Sequence, residues 1–209
     1  MRLINSHEQI QIGSITTSRR ELIDLIKAWV AISLAFAVIL GGSIFSFTIV
    51  ITFMIASLSV GLGFIAHEMA HKVIAQKYGC QAEFRSWDQM LILAVVMSFF
   101  GFIIAAPGAV MISGPVGARR NGKISVAGAV ANLIVAALFL ALLLIPVTGV
   151  LFAIARYGFM TNTWLALFNM IPLWMFDGKK VLRWNKAVYF TVVAICIIFL
   201  GLQSVVFRG

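Results

Sequence analysis

The sequence predicts an all-α polytopic membrane protein with about five transmembrane helices, a re-entrant segment and a small membrane-associated β-hairpin. Three observations lead there. Of 209 residues, 62% are apolar and 11% charged, with a mean hydropathy of +1.04. A soluble domain sits near ~45–50% apolar. Five stretches, 28–66, 89–118, 124–155, 157–176 and 187–207, contain no Asp, Glu, Lys or Arg, and a helix needs ~20 apolar residues to cross hydrocarbon. The net charge of +9 falls between those stretches, as in the cytoplasmic loops of membrane proteins. It is read that way and not as nucleic-acid binding. The composition also excludes disordered, collagenous and disulfide-stapled chains. Cys80 and Cys196 form no CxxC and carry no redox or metal message.

The elements follow in order. Residues 1–27 are polar and lack the apolar core of a cleavable signal peptide. The amphipathic piece Glu21–Lys27 leads into span 1, 24–41. Gly41-Gly42-Ser43 reads as a turn. Span 2, 45–77, ends at Lys77-Tyr78-Gly79, where glycine suits a helix C-cap. The segment 89–118 is apolar as far as Ala106 but contains Ser98 and Gly101 and breaks at Pro107-Gly108. Residues 109–112 and 124–126 are strand-like, with Gly114, Pro115, Gly117 and Asn121-Gly122 as turn material. Span 3 is 124–145, stopped by Pro146. Span 4 is 151–171, interrupted at Pro172, and span 5 is 187–206. All belong to one membrane domain, 1–209. Trp29, Trp87, Trp164, Trp174 and Trp184 mostly flank span ends, as interfacial anchors do. His7 is lone and has no assigned role.

Positive charge selects the topology. If the N-terminus is cytoplasmic and 89–106 dips in and returns, only Arg156 and Arg208 of the 16 Lys and Arg lie outside. If 89–106 crosses, the seven from Arg119 to Lys186 move outside. The positive-inside rule favours the re-entrant arrangement in a multi-pass cell-membrane protein.

Chemistry concentrates at the cytoplasmic end of span 2, in His67-Glu68-Met69-Ala70-His71. Helix positions i and i+4 share a face, so both imidazoles can reach one cation, and Glu68 stands where it can take a proton from water. Ionisable residues inside membrane helices default to function. A hydrolytic zinc site uses three protein ligands and keeps one position open. Glu8, Glu21 and Asp24 precede span 1, while Glu83 and Asp88 lie in the polar loop after the motif. Asp177 follows span 4, where Pro172 bends the chain and can return the carboxylate toward the histidines. By itself Asp177-Gly178 also reads as a turn. The re-entrant topology puts His67, His71 and Asp177 on one side, so charge bias and coordination agree.

HExxH late in one membrane helix, with Asn169-x-x-Pro172-x-x-x-x-Asp177-Gly178 after a later one, resembles the site-2 protease family of intramembrane zinc metalloproteases. The resemblance runs from span 2 to the start of span 5, about two-thirds of the chain. It implies one Zn2+ per chain held by His67, His71 and Asp177, Glu68 as the catalytic glutamate, and Asn169 near the substrate carbonyl. Gly128-x-x-x-Asn132 resembles the family's Gly-x-x-x-Asn helix. Two departures are Lys179, where many relatives have a second glycine, and Trp174-Met-Phe, where many have a proline. No stretch accommodates a PDZ domain, so a minimal form is expected. Substrates would be transmembrane or signal-peptide-like segments met within the lipid bilayer. Ser57, Ser59, Asn132 and Asn169 are candidate lining of a water path, and 109–112 with 124–126 a candidate edge for an unwound substrate. Two rivals remain: an HExxH membrane protease with Glu83 as third ligand, and a non-proteolytic metal-binding transporter, channel or scaffold.

Overall fold

The computed structural model describes residues 9–41, 46–103, 107–173 and 176–207. The expected turn at Gly42-Ser43 and the departure at Trp174-Met175 lie outside them. The described residues begin with a hairpin, β1 (Gln9–Ile12) and β2 (Ile15–Ser18), which runs into α1 (Arg19–Gly41). The second apolar stretch is one continuous rod, α2 (Thr48–Ala56) and α3 (Leu62–Lys77), joined through a π-turn at Ser57–Gly61. Gly79, at φ +73°, ends it as expected. Then come β3 (Gln81–Ser86), the short helix α4 (Asp88–Ser98) and β4 (Gly108–Ser113). The chain closes with α5 (Ala118–Leu143), α6 (Gly149–Asn169), the one-face helix α7 (Asp177–Trp184) and α8 (Lys186–Val206).

Four helices have the length and apolarity to cross a membrane: α1, the Thr48–Lys77 rod, α5 and α8. The expected span at 151–171 is α6. It has 21 residues but carries Arg156 and the buried Asn162 and Thr163, and falls outside that group of four. Packing supports a membrane-embedded protein. Many fully buried positions are alanines, among them Ala28, Ala35, Ala56, Ala129, Ala136, Ala155 and Ala166. Large apolar side chains such as Leu138, Ile198 and Val205 face outward. Lipid gives no hydrophobic reason to bury leucine, and small residues let helix backbones approach closely.

The segment after the rod forms a strand, a short helix and a second strand. β3 and β4 pair antiparallel, with Ser86 opposite Gly108, and the Trp87 amide donates to the Pro107 carbonyl at 3.1 Å. Both ends of the 87–107 excursion therefore meet at one rung. α4 has 11 residues, about half a crossing length. The two ends of the segment are therefore neighbours, and residues 104–106 between them are outside the described set. The hairpin partner is a correction. Strand 109–112 exists, but Ile124-Ser-Val126 is helical and lies in α5. Its β-branched residues look strand-like, yet Ile124, Ser125, Gly128 and Ala129 form a buried helical face, and packing overrides local propensity. The true partner, β3, lies on the N-terminal side.

Candidate metal centre

The HExxH motif sits on α3 with its functional face turned inward. His67, Glu68 and His71 are 6–9% exposed, and Asp177 is 8% exposed. The partners of the imidazoles come from α5. His67 Nδ1 donates to Asn132 Oδ1 at 2.6 Å, and His71 Nδ1 donates to the Ile124 carbonyl at 2.8 Å. The Asn132 amide nitrogen is itself spent as a donor, to the Gly63 carbonyl and to Asn162 Oδ1, both at 3.0 Å. Its oxygen must therefore accept, which fixes the His67 tautomer. Both rings thus present Nε2 as a lone pair, the arrangement in which a ligating imidazole is oriented by its other nitrogen.

The two Nε2 atoms lie 2.9 Å apart, and Asp177 Oδ2 lies 3.0 Å from one and 3.5 Å from the other. Lone pairs at such separations repel unless a cation sits among them. Two donors ~2.0 Å from a tetrahedral zinc are separated by about 3.3 Å, so the observed triangle has the size of one face of that sphere. His67, His71 and Asp177 together form a group able to hold a metal ion.

Asp177 arrives from more than a hundred residues away because α6 stops at Asn169 and the chain doubles back. It opens α7, and the Lys180 ammonium holds its other oxygen, Oδ1, at 3.2 Å. Burial would raise the Asp177 carboxyl, and the charge of the Lys180 ammonium works against that. Gly178 serves close approach, not a turn: a Cβ there would stand 2.1 Å from the Met170 carbonyl. Gly128 plays the same part on the other side. Its absent Cβ would lie 2.6 Å from His67 Cε1, His67 Nε2 and His71 Cε1, so the Gly-x-x-x-Asn motif is the cradle of the histidine pair.

The remaining expectations fall out as follows. The Glu68 carboxyl lies against the Val110 backbone of β4. Glu83 is not near the trio. It is 1% exposed, accepts from Ser18 Oγ, and pairs with Arg85 at 2.7 Å, which removes it as third ligand. Asn169 ends α6, and its amide donates to the Leu165 carbonyl of its own helix at 2.9 Å; among the described residues no hydrogen bond joins it to the trio. Ser59 and Asn132 are buried, and the Asn162 amide donates to the Ser59 carbonyl at 3.2 Å and the Gly158 carbonyl at 2.8 Å. Asn162 was missed in the sequence. The available signal was an uncharged polar residue in an apolar stretch, one helix turn from Gly158.

No family model and no solved structure matches the chain. One curated protein, from Methanocaldococcus jannaschii, is 42% identical over 175 residues, which is 82% of this chain and 88% of that protein. Its name is "Putative zinc metalloprotease MJ0611". Identity at that level over nearly both full lengths, together with a buried His-His-Asp group of zinc dimensions, places this chain in the zinc metalloprotease family.

Proposed function

We propose that the protein is an intramembrane zinc metalloprotease of the site-2 type, cleaving transmembrane or signal-peptide-like segments of membrane proteins. The observation that carries this reading is the placement of Glu68 between the His67–His71–Asp177 trio and the outer edge of β4. In this reading zinc is the resident cofactor, and when bound it makes water a nucleophile near neutral pH. Glu68 takes the proton of the attacking water and passes it to the leaving amine. Its burial keeps bulk water from competing for that proton. Asn169 donates to the substrate carbonyl after its amide leaves Leu165.

A transmembrane helix hides its peptide bonds, so the substrate must be extended to be cut. Among the described residues no strand covers the outer edge of β4, and that edge faces Glu68. An unwound substrate added to it would run past the glutamate. The positive-inside bias puts the site toward the cytoplasmic side of a multi-pass cell-membrane protein. The test is cleavage of a single-span protein by the purified chain in proteoliposomes. Zinc-dependent, chelator-sensitive cleavage is expected, and Glu68→Gln should keep zinc and lose cleavage. Full activity in Glu68→Gln, or no cleavage by the zinc-loaded wild type, would overturn the reading.

A further inference from the structure

Glu21 of α1 is fully buried, far in sequence from the motif, and takes no part in the chemistry above. Its surroundings do not suit a helix cap. Ser18-x-x-Glu21 has the sequence of a capping box, in which the glutamate would reach back to the amide of its own N-cap. Only half of that box forms: Ser18 Oγ accepts from the Glu21 amide at 3.1 Å, while the Glu21 side chain turns into the protein. There Oε2 takes the Lys72 ammonium and the Thr17 hydroxyl, the latter at 2.7 Å, and Oε1 accepts from the Phe84 amide at 2.9 Å.

Two of those partners, Lys72 and Phe84, lead to the site. Lys72 is the residue after His71 and lies one helix turn beyond Glu68, so Glu68 and Lys72 share a face of α3. Phe84 is the cross-strand partner of Val110. Because the Phe84 amide is given to Glu21, this rung is one whose N–H groups face away from the ladder. The Val110 amide therefore turns outward from the opposite edge, where Glu68 lies. One carboxylate thus grips the motif helix by Lys72 and one edge of the sheet by Phe84, while Glu68 meets the other edge at the same rung. Asp24, three residues on, continues the seam: it accepts from Ser86 Oγ at 3.2 Å and faces Arg85 at 3.7 Å.

We propose that Glu21 is a positioning residue: its bridge from Lys72 to the Phe84 amide sets the height of the β3–β4 sheet against Glu68. It thereby holds the substrate-accepting edge in register with the general base. This rests on the protease reading for its functional consequence, though not for its structural one.

The test uses the full chain, zinc-loaded, in proteoliposomes with a single-span test protein. Removing one partner of a buried ion pair strands the other, so the main variant removes both charges, Glu21→Gln with Lys72→Met. It should bind one zinc and melt near wild type. Its kcat should fall at least about tenfold while KM stays within about twofold, and hydrogen exchange should quicken at 82–86 and 108–113 but not in α5. Glu21→Asp keeps the charge but is one methylene too short to span both partners; it should show the same pattern and serves if the double variant does not fold. A purely structural role predicts instead that turnover returns with the fold. Wild-type turnover, or unchanged exchange across β3–β4, in either folded variant would overturn the proposal. Absence of cleavage by wild type would defeat the protease reading alone, because the exchange measurement still judges the bridge.

Discussion

Replacing Gly128 with alanine tests the metal centre from outside its ligand set. Helix propensity alone favours the change, by about 1 kcal/mol, or roughly fivefold toward the folded state. Packing opposes it. The new Cβ would stand 2.6 Å from His67 Cε1 and Nε2 and from His71 Cε1, where ordinary contact begins near 3.4 Å. Something must yield by about 0.8 Å, roughly four times the ±0.2 Å within which metal–ligand distances hold. The helix cannot retreat freely, because α5 also carries Asn132 and Ile124, which hold both Nδ1 atoms. The rings must move, and they are the ligands. Losing an outer partner of a metal site typically costs 10–100-fold in affinity; displacing two ligands at once should cost at least about 100-fold. Competition with a chelator of known zinc affinity measures this on purified protein, and a thermal melt of the apo form checks that the fold survives. The expected result is a folded apo protein that no longer retains zinc. A Gly128→Ala variant that binds zinc as tightly as wild type would refute the assembly of the site described here.

Other outcomes follow from the same geometry. Asn132→Ala leaves His67 Nδ1 and Asn162 Oδ1 without partners; zinc affinity should fall ~10–100-fold, with a loss of stability on the order of 1–3 kcal/mol per orphaned group, read by chelator competition and denaturant titration. Asp177→Asn should abolish stoichiometric zinc binding. Glu83→Gln should keep the zinc, yet lower stability by about 1–3 kcal/mol because Arg85, which still faces Asp24, loses its buried partner; metal analysis and melts of the two variants separate these effects. At the β4 edge, Ile112 follows the Val110 rung by two, so its amide also faces outward, and proline is tolerated at such edge positions. Ile112→Pro should fold and bind zinc but cleave a helical substrate poorly, whereas Met111→Pro removes a ladder bond and should destabilise the sheet. Unchanged cleavage by Ile112→Pro would rule out strand addition.

What could be read from the sequence is what covalent geometry makes local. Apolar lengths give the long helices to within a few residues, and the i, i+4 spacing of His67 and His71 puts both on one face of α3 before any partner is known. The charges of short loops lead to the expectation that 89–106 returns to its own side, and the Ser86–Gly108 rung brings the ends flanking that stretch together. β3 was hidden because its alternation is spoiled by a charge: Glu83 is buried although Ala82 and Phe84 are also buried. Only the Ser18 and Arg85 contacts make that tolerable. Ile124-Ser-Val126 misled because β-branched residues favour strands in isolation, while their burial on a helix face depends on α3 lying alongside. The polar residues that complete the centre, Asn132, Asn162 and Asp177, stand 30 to more than 100 positions from the partners they meet on other helices. No periodicity links them. They meet because glycines at 63, 128 and 178 let backbones close to distances no side chain would allow, and that is a property of packed helices, not of any one segment.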